Sequence, residues 1–485
     1  MSSWFEAEAR ATQQAFRVQT FAAGVWLNGK EEYFAGGRVS PKTPRADTDT
    51  IFPIASVSKA FIATAVLMLA EEGVVDISSP MTRYLPDFAM YTDEMTRNLT
   101  VRDAMCHCCG LPRHDITLYT RENLNLEQFV GIVRYLPPAW PMYERFGYSN
   151  HMFAAISLLV VKVAGMPWGD FVEKRIFEPL GMRRSYTGSF SYCGADDNYA
   201  RARILRNGAN RPVAPINIDY CGSSGSISTG IRDLLQWVKL NLRGGILPGG
   251  DRLYSEHASS LLFGKQTRIK QGERYPYELN EITDSYYGFG WGVDRFRGER
   301  LIQHAGAIDG YRSFAGFMPD KDFAFAIFAN SSESYACEAL GRKLCDICLG
   351  YEGEDWNARH LEIASTLEES SRNRYVQMTE PPAVPPDIRG LAGRYENKAY
   401  GVFAVKANSS GLTVRIEGVE RIKPMPLLPS KHFEWVIDLP LDWMALPCRF
   451  EIQGGRADRM LVHTDDDLRE PMVFERLPSS ASPDS

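Results

Sequence analysis

Ser56 and Lys59 are the pair of residues in this chain whose types and spacing most directly suggest chemistry. Residues three apart share one face of a helix, so the lysine amine would lie beside the serine hydroxyl. Burial among apolar neighbours disfavours the ammonium form of a lysine, and a neutral amine can take the hydroxyl proton. That would make the serine a nucleophile. A surface serine and lysine at the start of a buried helix would show the same pattern, which occurs by chance about once or twice in a chain of this length.

The flanking sequence predicts how this pair is held. A strand-like run at residues 50–54 precedes it, and an apolar, helix-forming run follows at residues 60–70. Ser56 is therefore expected at or just inside a helix N-terminus. Free backbone N–H groups and the positive end of the helix dipole can stabilise developing negative charge there.

Length and composition bound the class of protein. The 485 residues predict two or three domains, and the 44% hydrophobic and 24% charged content is that of a globular protein. A net charge of -6 argues against a nucleic-acid partner. The polar, acidic start lacks the pattern of a secretory signal, and no apolar run approaches the ~20 residues that span a bilayer. We therefore expect a cytoplasmic location and no membrane partner.

The nine cysteines raise the question of a metal site. Their odd number and scattered positions favour reduced thiols over a disulfide framework. Cys106 and Cys109 have the C-x-x-C spacing of zinc ligands, as do Cys345 and Cys348. The two pairs lie far apart, and the second falls in a helix-like apolar run, so buried thiols are the favoured interpretation. The sequence therefore predicts no metal and no cofactor.

The order of the predicted elements indicates an α+β fold. Residues 22–39 predict a hairpin around Asn28-Gly29, the strongest short turn signal. Three strand patterns between residues 301 and 330 predict adjacent antiparallel strands, and a helix is expected at residues 336–349. A helical middle separates the two β regions. We therefore expect an antiparallel sheet flanked by helices, plus an all-helical part.

Two loops that lead into helices carry polar side chains. Tyr148 and Asn150 lie directly before an apolar helix predicted at residues 151–164, so both side chains can face a cleft. Helix capping and packing are the alternative explanation. A Gly/Ser-rich loop at residues 221–230 feeds another helix, but it lacks the Gly-x-Ser-x-Gly nucleophile elbow of α/β-hydrolases.

The C-terminal part is predicted to form a separate unit. Its proline pairs indicate a linker, placed at residues 366–388, so the first domain would span residues 1–365. Short strand patterns separated by Gly, Asn and Pro then predict a small β-barrel at residues 389–478. Residues 479–485 are expected to be a disordered tail.

Three motifs in this order resemble those of class C-type serine β-lactamases and penicillin-binding-protein-like peptidases. They are Ser56-x-x-Lys59, Tyr148-Ser149-Asn150 and His304-Ala305-Gly306, with Gly110-Leu111-Pro112 and Gly288-Phe289-Gly290-Trp291 resembling that family's framework. The resemblance implies a β-lactamase/transpeptidase-like sheet with its helices. The C-terminal part resembles the lipocalin-like barrel appended to D-aminopeptidases and related proteins.

The resemblance also implies a role for the first two motifs. Ser56 would be the nucleophile, and Lys59 would activate it. Tyr148 would shuttle a proton to the leaving group, and Asn150 would hold Lys59 and bind the amide of the substrate. Which group takes the serine proton differs between accounts of this superfamily, so that assignment stays open here.

The third motif would complete the site by the same resemblance. His304 would donate to a substrate carboxylate or to Tyr148. Gly306 and Ala307 would contact the substrate. The backbone N–H groups of Ser56 and Ala307 would form the oxyanion hole.

These expectations describe a serine hydrolase that works through an acyl-Ser56 intermediate on small esters, amides or D-amino-acid peptides. The alternative is an acyltransferase of secondary metabolism, in which an alcohol or amine replaces water. A third interpretation is a non-catalytic scaffold on a β-lactamase fold, although the intact Ser56, Lys59 and Tyr148 argue against it. The expected partner is a small acyl substrate, and homo-oligomerisation is left open. A contribution of the barrel to the cleft, for example through His432, is also left open.

Overall fold

In the computed structural model, an α+β unit is followed by a closed β-barrel, as the sequence predicts. The described residues are 3–39, 45–191, 196–206, 209–273, 276–332, 334–384, 386–409, 411–439 and 444–478. The predicted tail at residues 479–485 lies outside these ranges.

The predicted first hairpin is confirmed. Strands β1 (Thr20–Leu27) and β2 (Lys30–Gly37) pair with Leu27 opposite Lys30. Asn28 and Gly29, with φ of 51° and 81°, form the turn between them. Two consecutive residues with positive φ match the twist of a tight hairpin, and this is why an Asn-Gly pair is favoured there.

The main sheet is antiparallel, and the described residues give it eight strands. Its other strands are β3 (Thr267–Arg268), β4 (Ile282–Tyr287), β5 (Gly292–Phe296), β6 (Glu299–Ile308), β7 (Tyr311–Met318) and β8 (Phe323–Ala329). Their order across the sheet is β2-β1-β8-β7-β6-β5-β4-β3. The three late strands are therefore adjacent, as predicted, and the N-terminal hairpin joins them at β8.

Helices cover both faces of this sheet. Strand β8 is buried on both sides. Its Phe325 and Ile327 point into a core shared with the helices Trp4–Ala15 and Ala336–Leu349. Ala326 and Phe328 point into the larger core, shared with the helix Ile231–Leu242. Because neighbouring side chains of a strand point to opposite faces, a strand covered on both sides is apolar throughout.

The helices are, in chain order, α1 (Trp4–Ala15), α2 (Lys59–Glu71), α3 (Asp93–Asn98), α4 (Val101–Met105), α5 (Thr117–Thr120), α6 (Leu126–Gly131), α7 (Asn150–Ala164), α8 (Trp168–Val172), α9 (Glu178–Leu180), α10 (Ile231–Leu242), α11 (Glu256–Leu262), α12 (Ala336–Leu349) and α13 (Trp356–Met378). Helices α2 to α9 form the predicted helical part. In it, α2 and α7 pack together and are apolar on nearly all sides, as a buried helix must be.

The C-terminal unit is the predicted barrel. Its strands are β9 (Gly393–Asn397), β10 (Gly401–Asn408), β11 (Gly411–Ile416), β12 (Met425–Pro429), β13 (Trp435–Asp438), β14 (Ala445–Gln453), β15 (Arg456–Val462) and β16 (Met472–Arg476). Each strand pairs with the next, and β16 returns to β9. Alternate residues such as Phe403, Val405 and Val414 are buried in the lumen, so side chains fill the interior, as in other small barrels.

The segment predicted as a linker, residues 366–388, is helical in its first half. Helix α13 continues to Met378 before the chain leaves it. The first proline pair begins only at residue 381, and the residues before it include many good helix formers. The predicted linker therefore starts too far toward the N-terminus, because helix α13 occupies its first half.

The barrel contacts the loop that follows Gly110. The backbone N–H of His114 donates to a carboxylate oxygen of Asp465 at 2.9 Å, and its ring Nδ1 lies 2.8 Å from the hydroxyl of Tyr400. This loop also carries residues of the candidate site, so the two units meet close to it.

No single helix among the described residues has the length and apolarity needed to cross a membrane. By length and composition alone, α7 together with the segment Trp168–Leu180 meets the criteria as a pair, bent by 77°.

Candidate active site

Ser56 lies in a short 3-10 turn, Ala55–Ser58, that continues directly into α2. It is half-buried, whereas Lys59, the first residue of α2, is fully buried. Ala55 has a left-handed backbone with φ of 46°, which is uncommon outside glycine, asparagine and aspartate. The chain therefore turns sharply just before the serine, and this sets the direction in which the hydroxyl points.

Lys59 has three oxygen partners. Its Nζ lies 3.1 Å from Ser56 Oγ, 2.7 Å from Asn150 Oδ1 and 2.5 Å from the carbonyl oxygen of Ser224. The amide and carbonyl oxygens can only accept, so each takes one N–H from the lysine. None of these three partners carries a charge.

Asn150, the first residue of α7, connects the lysine to a carboxylate. Its Nδ2 donates to Asp115 Oδ1 at 2.9 Å, which fixes its Oδ1 toward Lys59. Arg113 Nε in turn donates to Asp115 Oδ2 at 2.6 Å. The orientation of the Asn150 amide is thus set by Lys59 and Asp115.

Tyr148 lies over the same group of residues. Lys59 Nζ is 4.8 Å from the centre of its ring, and the guanidinium carbon of Arg113 is also 4.8 Å from it. The His107 ring lies 4.3 Å from the tyrosine ring, centre to centre. His107 Nδ1 accepts the backbone N–H of Ser149 at 3.1 Å, so this histidine fixes the loop on which Tyr148 lies.

His304 on β6 is buried, with both ring nitrogens in hydrogen-bond contact. Nδ1 lies 2.6 Å from the carbonyl oxygen of Ala305, and Nε2 lies 2.9 Å from the hydroxyl of Tyr287. A carbonyl oxygen only accepts, so Nδ1 carries the proton, and a neutral ring then accepts from Tyr287 at Nε2. The rings of His304 and Tyr148 are 6.4 Å apart, centre to centre.

Gly306 brings β6 close to the turn that holds Ser56. A Cβ atom at this position would lie 2.2 Å from the carbonyl oxygen of Ile54 and 2.3 Å from Ser313 Oγ. The hydroxyl of Ser313 also donates to Ile54 O at 2.7 Å. The structure thus places Gly306 in a tight packing contact, and among the described residues it does not line the cavity at Ser56. Ala307, the next residue, lines that cavity together with Ser56.

The cavity at Ser56 has a volume of about 790 Å³. Its walls include Asn150 and Asp115 on one side and Ala307 on another. A volume of this size suits a small organic ligand or a short peptide. The structure therefore brings Ser56, Asn150 and Ala307 to one cavity, and the buried Lys59 contacts two of them, Ser56 and Asn150.

The two C-x-x-C pairs do not combine into one cluster of ligand atoms in the part of the chain that the structure describes. There, the group with ligand atoms within 4.8 Å of one another is Asp103, Cys106 and Cys108. Cys106 and Cys108 lie 3.6 Å apart, sulfur to sulfur. These three residues could hold a cation, but they lie outside the walls of the cavity at Ser56. His432 also lies elsewhere, in contact with Glu380 at 3.1 Å.

Sequence reasoning missed three residues of the site: Asp115, Ser224 and Tyr287. Asp115 follows the Gly110-Leu111-Pro112 motif by three residues, so that motif could have drawn attention to it. Ser224 takes part through its backbone carbonyl, for which its side chain gives no signal. Tyr287 precedes the Gly288-Phe289-Gly290-Trp291 motif, but its contact with His304 depends on the pairing of distant strands.

This fold and this site define the class of β-lactamase-fold serine hydrolases. The family model described as Beta-lactamase matches residues 5–344, and the chain belongs to that family.

Three similar proteins illustrate the family. The unguisins hydrolase ungD' of Aspergillus campestris is 26% identical over 372 residues, which cover 73% of this chain and 68% of that protein. Penicillin-binding protein 4 of Amycolatopsis lactamdurans is 24% identical, over 80% of this chain and 96% of its own length. The octameric penicillin-binding protein homologue from Pyrococcus abyssi superposes with a TM-score of 0.64 at 19% identity, over 97% of this chain and 99% of that one.

Proposed function

We propose that this protein is a serine hydrolase that forms an acyl-Ser56 intermediate. The observation that carries the proposal is the contact of the buried Lys59 Nζ with Ser56 Oγ at 3.1 Å, beside two neutral acceptors. A neutral lysine amine has two N–H groups and one lone pair. With the two N–H groups directed to Asn150 and Ser224, the lone pair is left for the hydroxyl hydrogen of Ser56.

In the acylation step, Ser56 Oγ attacks the carbonyl carbon of the substrate while its proton passes to Lys59. A new C–O bond forms, and the carbonyl oxygen becomes an oxyanion. The backbone N–H groups of Ser56 and Ala307 are the proposed donors to that oxyanion, because both residues line the cavity.

Collapse of the tetrahedral intermediate breaks the bond to the leaving group, which must gain a proton. Tyr148 is the proposed donor, because its ring lies beside Lys59, and we propose that the proton taken up by Lys59 replaces the one that the phenol gives up. The proton lost by Ser56 thus leaves with the amine or alcohol. The proposed role of His304 is to hold this side of the site, by way of Tyr287, rather than to contact the substrate directly.

Water resolves the acyl-enzyme in the second step. Its oxygen forms a bond to the acyl carbon, one of its protons returns to Ser56 Oγ, and the ester bond to the serine breaks. Small esters, amides and D-amino-acid peptides are the proposed substrates. The names of the relatives support this class, since they include a hydrolase and penicillin-binding proteins.

The location and the assembly of the protein are further proposals. We infer a cytoplasmic enzyme from the odd number and scattered positions of the nine cysteines, which favour reduced thiols. The octameric state named for the Pyrococcus abyssi homologue supports a test of oligomerisation, for which light scattering of the full chain is sufficient.

Intact-mass spectrometry tests the acyl-enzyme. Wild-type protein, Ser56→Ala and the surface control Ser260→Ala are each exposed to activated esters, β-lactams and a fluorophosphonate. We expect adducts on the wild type and on Ser260→Ala, and none on Ser56→Ala. Equal labelling of Ser56→Ala would overturn the proposal. A competing alcohol in the ester reaction separates hydrolysis from transfer, because a transferase would give the new ester as its main product.

A further inference from the structure

The cavity at Ser56 continues to one end of the C-terminal barrel. Its walls include five inward-facing residues on consecutive barrel strands, and we call them the barrel mouth: Phe403, Ile416, Met425, Ile437 and Leu446. All five are apolar, and each is at most 6% exposed. A single cavity therefore reaches from the candidate nucleophile to the apolar interior of a second structural unit.

The strand register places these residues at one level of the barrel. Phe403 pairs with Ile416, and Ile437 pairs with Leu446. Residues farther along the same inward faces, such as Leu412 and Phe450, are buried in the lumen and do not line the cavity. The mouth is thus the end of a filled core that stays open on the side of the candidate active site.

Charged side chains hold the mouth beside β6. Arg421, in the connection between β11 and β12, donates from Nε to Glu122 Oε2 at 3.2 Å, and its Nη1 lies 3.9 Å from Asp309 Oδ2. Asp309 also accepts from the hydroxyl of Tyr119 at 3.0 Å. Because Asp309 follows Ala307 by two residues, these contacts place the barrel next to the proposed oxyanion hole.

The residues that line the cavity indicate whether the acyl group or the leaving group of a substrate would lie toward the barrel. Ser56, Asn150 and Ala307 line the cavity, whereas Tyr148 and His304 are outside the described lining. Tyr148 is the proposed proton donor to the leaving group, so the leaving group lies on its side of Ser56. The cavity that leads to the barrel then receives the acyl half.

We propose that the barrel mouth binds the apolar end of the acyl group that is transferred to Ser56. This inference rests on the proposed function, and it names the substrate class as acyl donors with an extended apolar acyl group. The cavity walls also contain Leu118, Ile218 and Ile308, so an apolar chain would find apolar side chains on its course beside the charged Asp309 and Arg421. Burial of each methylene group corresponds to roughly a fourfold gain in binding.

The test uses p-nitrophenyl esters that share one leaving group and differ in acyl length from acetyl to decanoyl. The rate of Ser56 acylation is followed by release of p-nitrophenolate with the full-length protein. We expect kcat/KM for the decanoyl ester to exceed that for the acetyl ester by roughly 100-fold or more, since several methylene groups become buried.

Variants with a larger side chain at the barrel mouth test whether the mouth causes the preference for a long acyl group. Leu446→Trp and Ile416→Trp, on different strands, would each occupy the mouth. We expect at least a tenfold loss in kcat/KM for the decanoyl ester and less than a twofold change for the acetyl ester. Phe450→Trp is the matched control, because it lies on the same strand and inward face as Leu446 but outside the cavity. It should leave both rates within twofold, and thermal unfolding checks that each variant is folded.

The outcomes separate the two proposals. If both esters acylate Ser56 at similar rates, or if Phe450→Trp and the mouth variants behave alike, the barrel mouth does not bind the acyl group, and the proposed hydrolase survives. If neither ester acylates Ser56, the proposed function is wrong and the inference falls with it.

Discussion

Two buried lysines in this protein have similar surroundings and different partners. Lys59 on α2 is fully buried, and Lys239 on α10 is 6% exposed. Each lies against an aromatic ring, Tyr148 for Lys59 and Trp26 for Lys239, at 4.8 and 4.4 Å from the ring centre. Lys239, however, has the carboxylate of Glu31 as its partner, whereas the oxygens around Lys59 belong to neutral groups.

The difference teaches what a catalytic lysine needs. A carboxylate partner favours the ammonium form and removes the lysine from proton transfer. Hydroxyl, amide and carbonyl oxygens can accept N–H groups from an ammonium or from an amine, because they carry no net charge that requires the cation. The neutral oxygens around Lys59 therefore fit both the amine and the ammonium that the proposed reaction uses. The carboxylate beside Lys239 fits only the ammonium.

Removing each lysine gives the largest contrast. We expect Lys59→Met to lower kcat/KM for an activated ester by roughly 10³- to 10⁴-fold, because the proposed acceptor of the serine proton is lost. Lys239→Met should stay within twofold of wild type in the same assay. Similar losses in both variants would indicate that buried lysines matter here only for folding.

Exchanging two side chains would give Lys59 a carboxylate partner like that of Lys239. In the double variant Asp115→Asn with Asn150→Asp, the charge moves next to the lysine and the hydrogen bond between the two positions is kept. The carboxylate would hold the lysine as an ammonium, which has no lone pair to take the serine proton. At neutral pH the rate should fall roughly 10- to 100-fold.

Asp115→Asn alone is the control for that exchange. It removes the ion pair with Arg113 but places no carboxylate beside Lys59. Equal values of kcat/KM at neutral pH in the double variant and in this control would contradict the proton-accepting role of the lysine.

The approach of β6 to the Ser56 turn can be disturbed without replacing a polar side chain. In Gly306→Ala, the new Cβ would overlap Ile54 O, so the strand and the turn must move apart. We expect at least a tenfold loss in kcat/KM and a loss of about 1–3 kcal/mol in the free energy of unfolding. Gly131→Ala, where a Cβ meets nothing within 4 Å, should retain full activity. Kinetics and chemical denaturation of both variants measure this contrast.

The smallest effect, a change in the free energy of unfolding, is expected for a substitution of Glu31, the partner of Lys239. Burial raises the pKa of Glu31, but hydrogen bonds from Lys239 and Tyr33 outweigh it and hold that pKa below 4.5. A lowered folded pKa stabilises the protein above the unfolded value, and this stabilisation is lost as the pH falls through the folded value. Glu31 is exposed, so solvent screens the pair, and Glu31→Gln should cost less than about 1 kcal/mol at pH 7 and progressively less below pH 4.5. Denaturation at several pH values measures it, and a pH-independent difference would contradict the assignment.

Local sequence patterns predicted most of the fold. The Asn28-Gly29 turn fixed the first hairpin through its backbone requirement, and the alternating runs after residue 390 indicated the barrel. The linker was placed less well, because helix α13 continues into it and proline content alone does not show where a preceding helix ends. The motif residues around Ser56 and Lys59 could be found because their chemistry depends on short spacing.

The remaining parts of the site depend on contacts between distant segments. Asp115 acts on Lys59 only through Asn150, and Ser224 contributes a backbone oxygen that any residue could supply. The barrel mouth likewise opens onto the cavity because Arg421 contacts Glu122, far away in the sequence. Such arrangements follow from tertiary packing, and the sequence pattern of either partner alone does not predict them.

Mapping the site of acylation tests the central claim most directly. Wild-type protein and Lys59→Met are treated with the same activated ester, quenched within one turnover, digested and sequenced by tandem mass spectrometry. We predict that the acyl group is on Ser56 in the wild type and absent from it in Lys59→Met. Labelling of another serine, or labelling of Ser56 in Lys59→Met at the wild-type rate, would contradict the claim that a neutral lysine amine activates this hydroxyl.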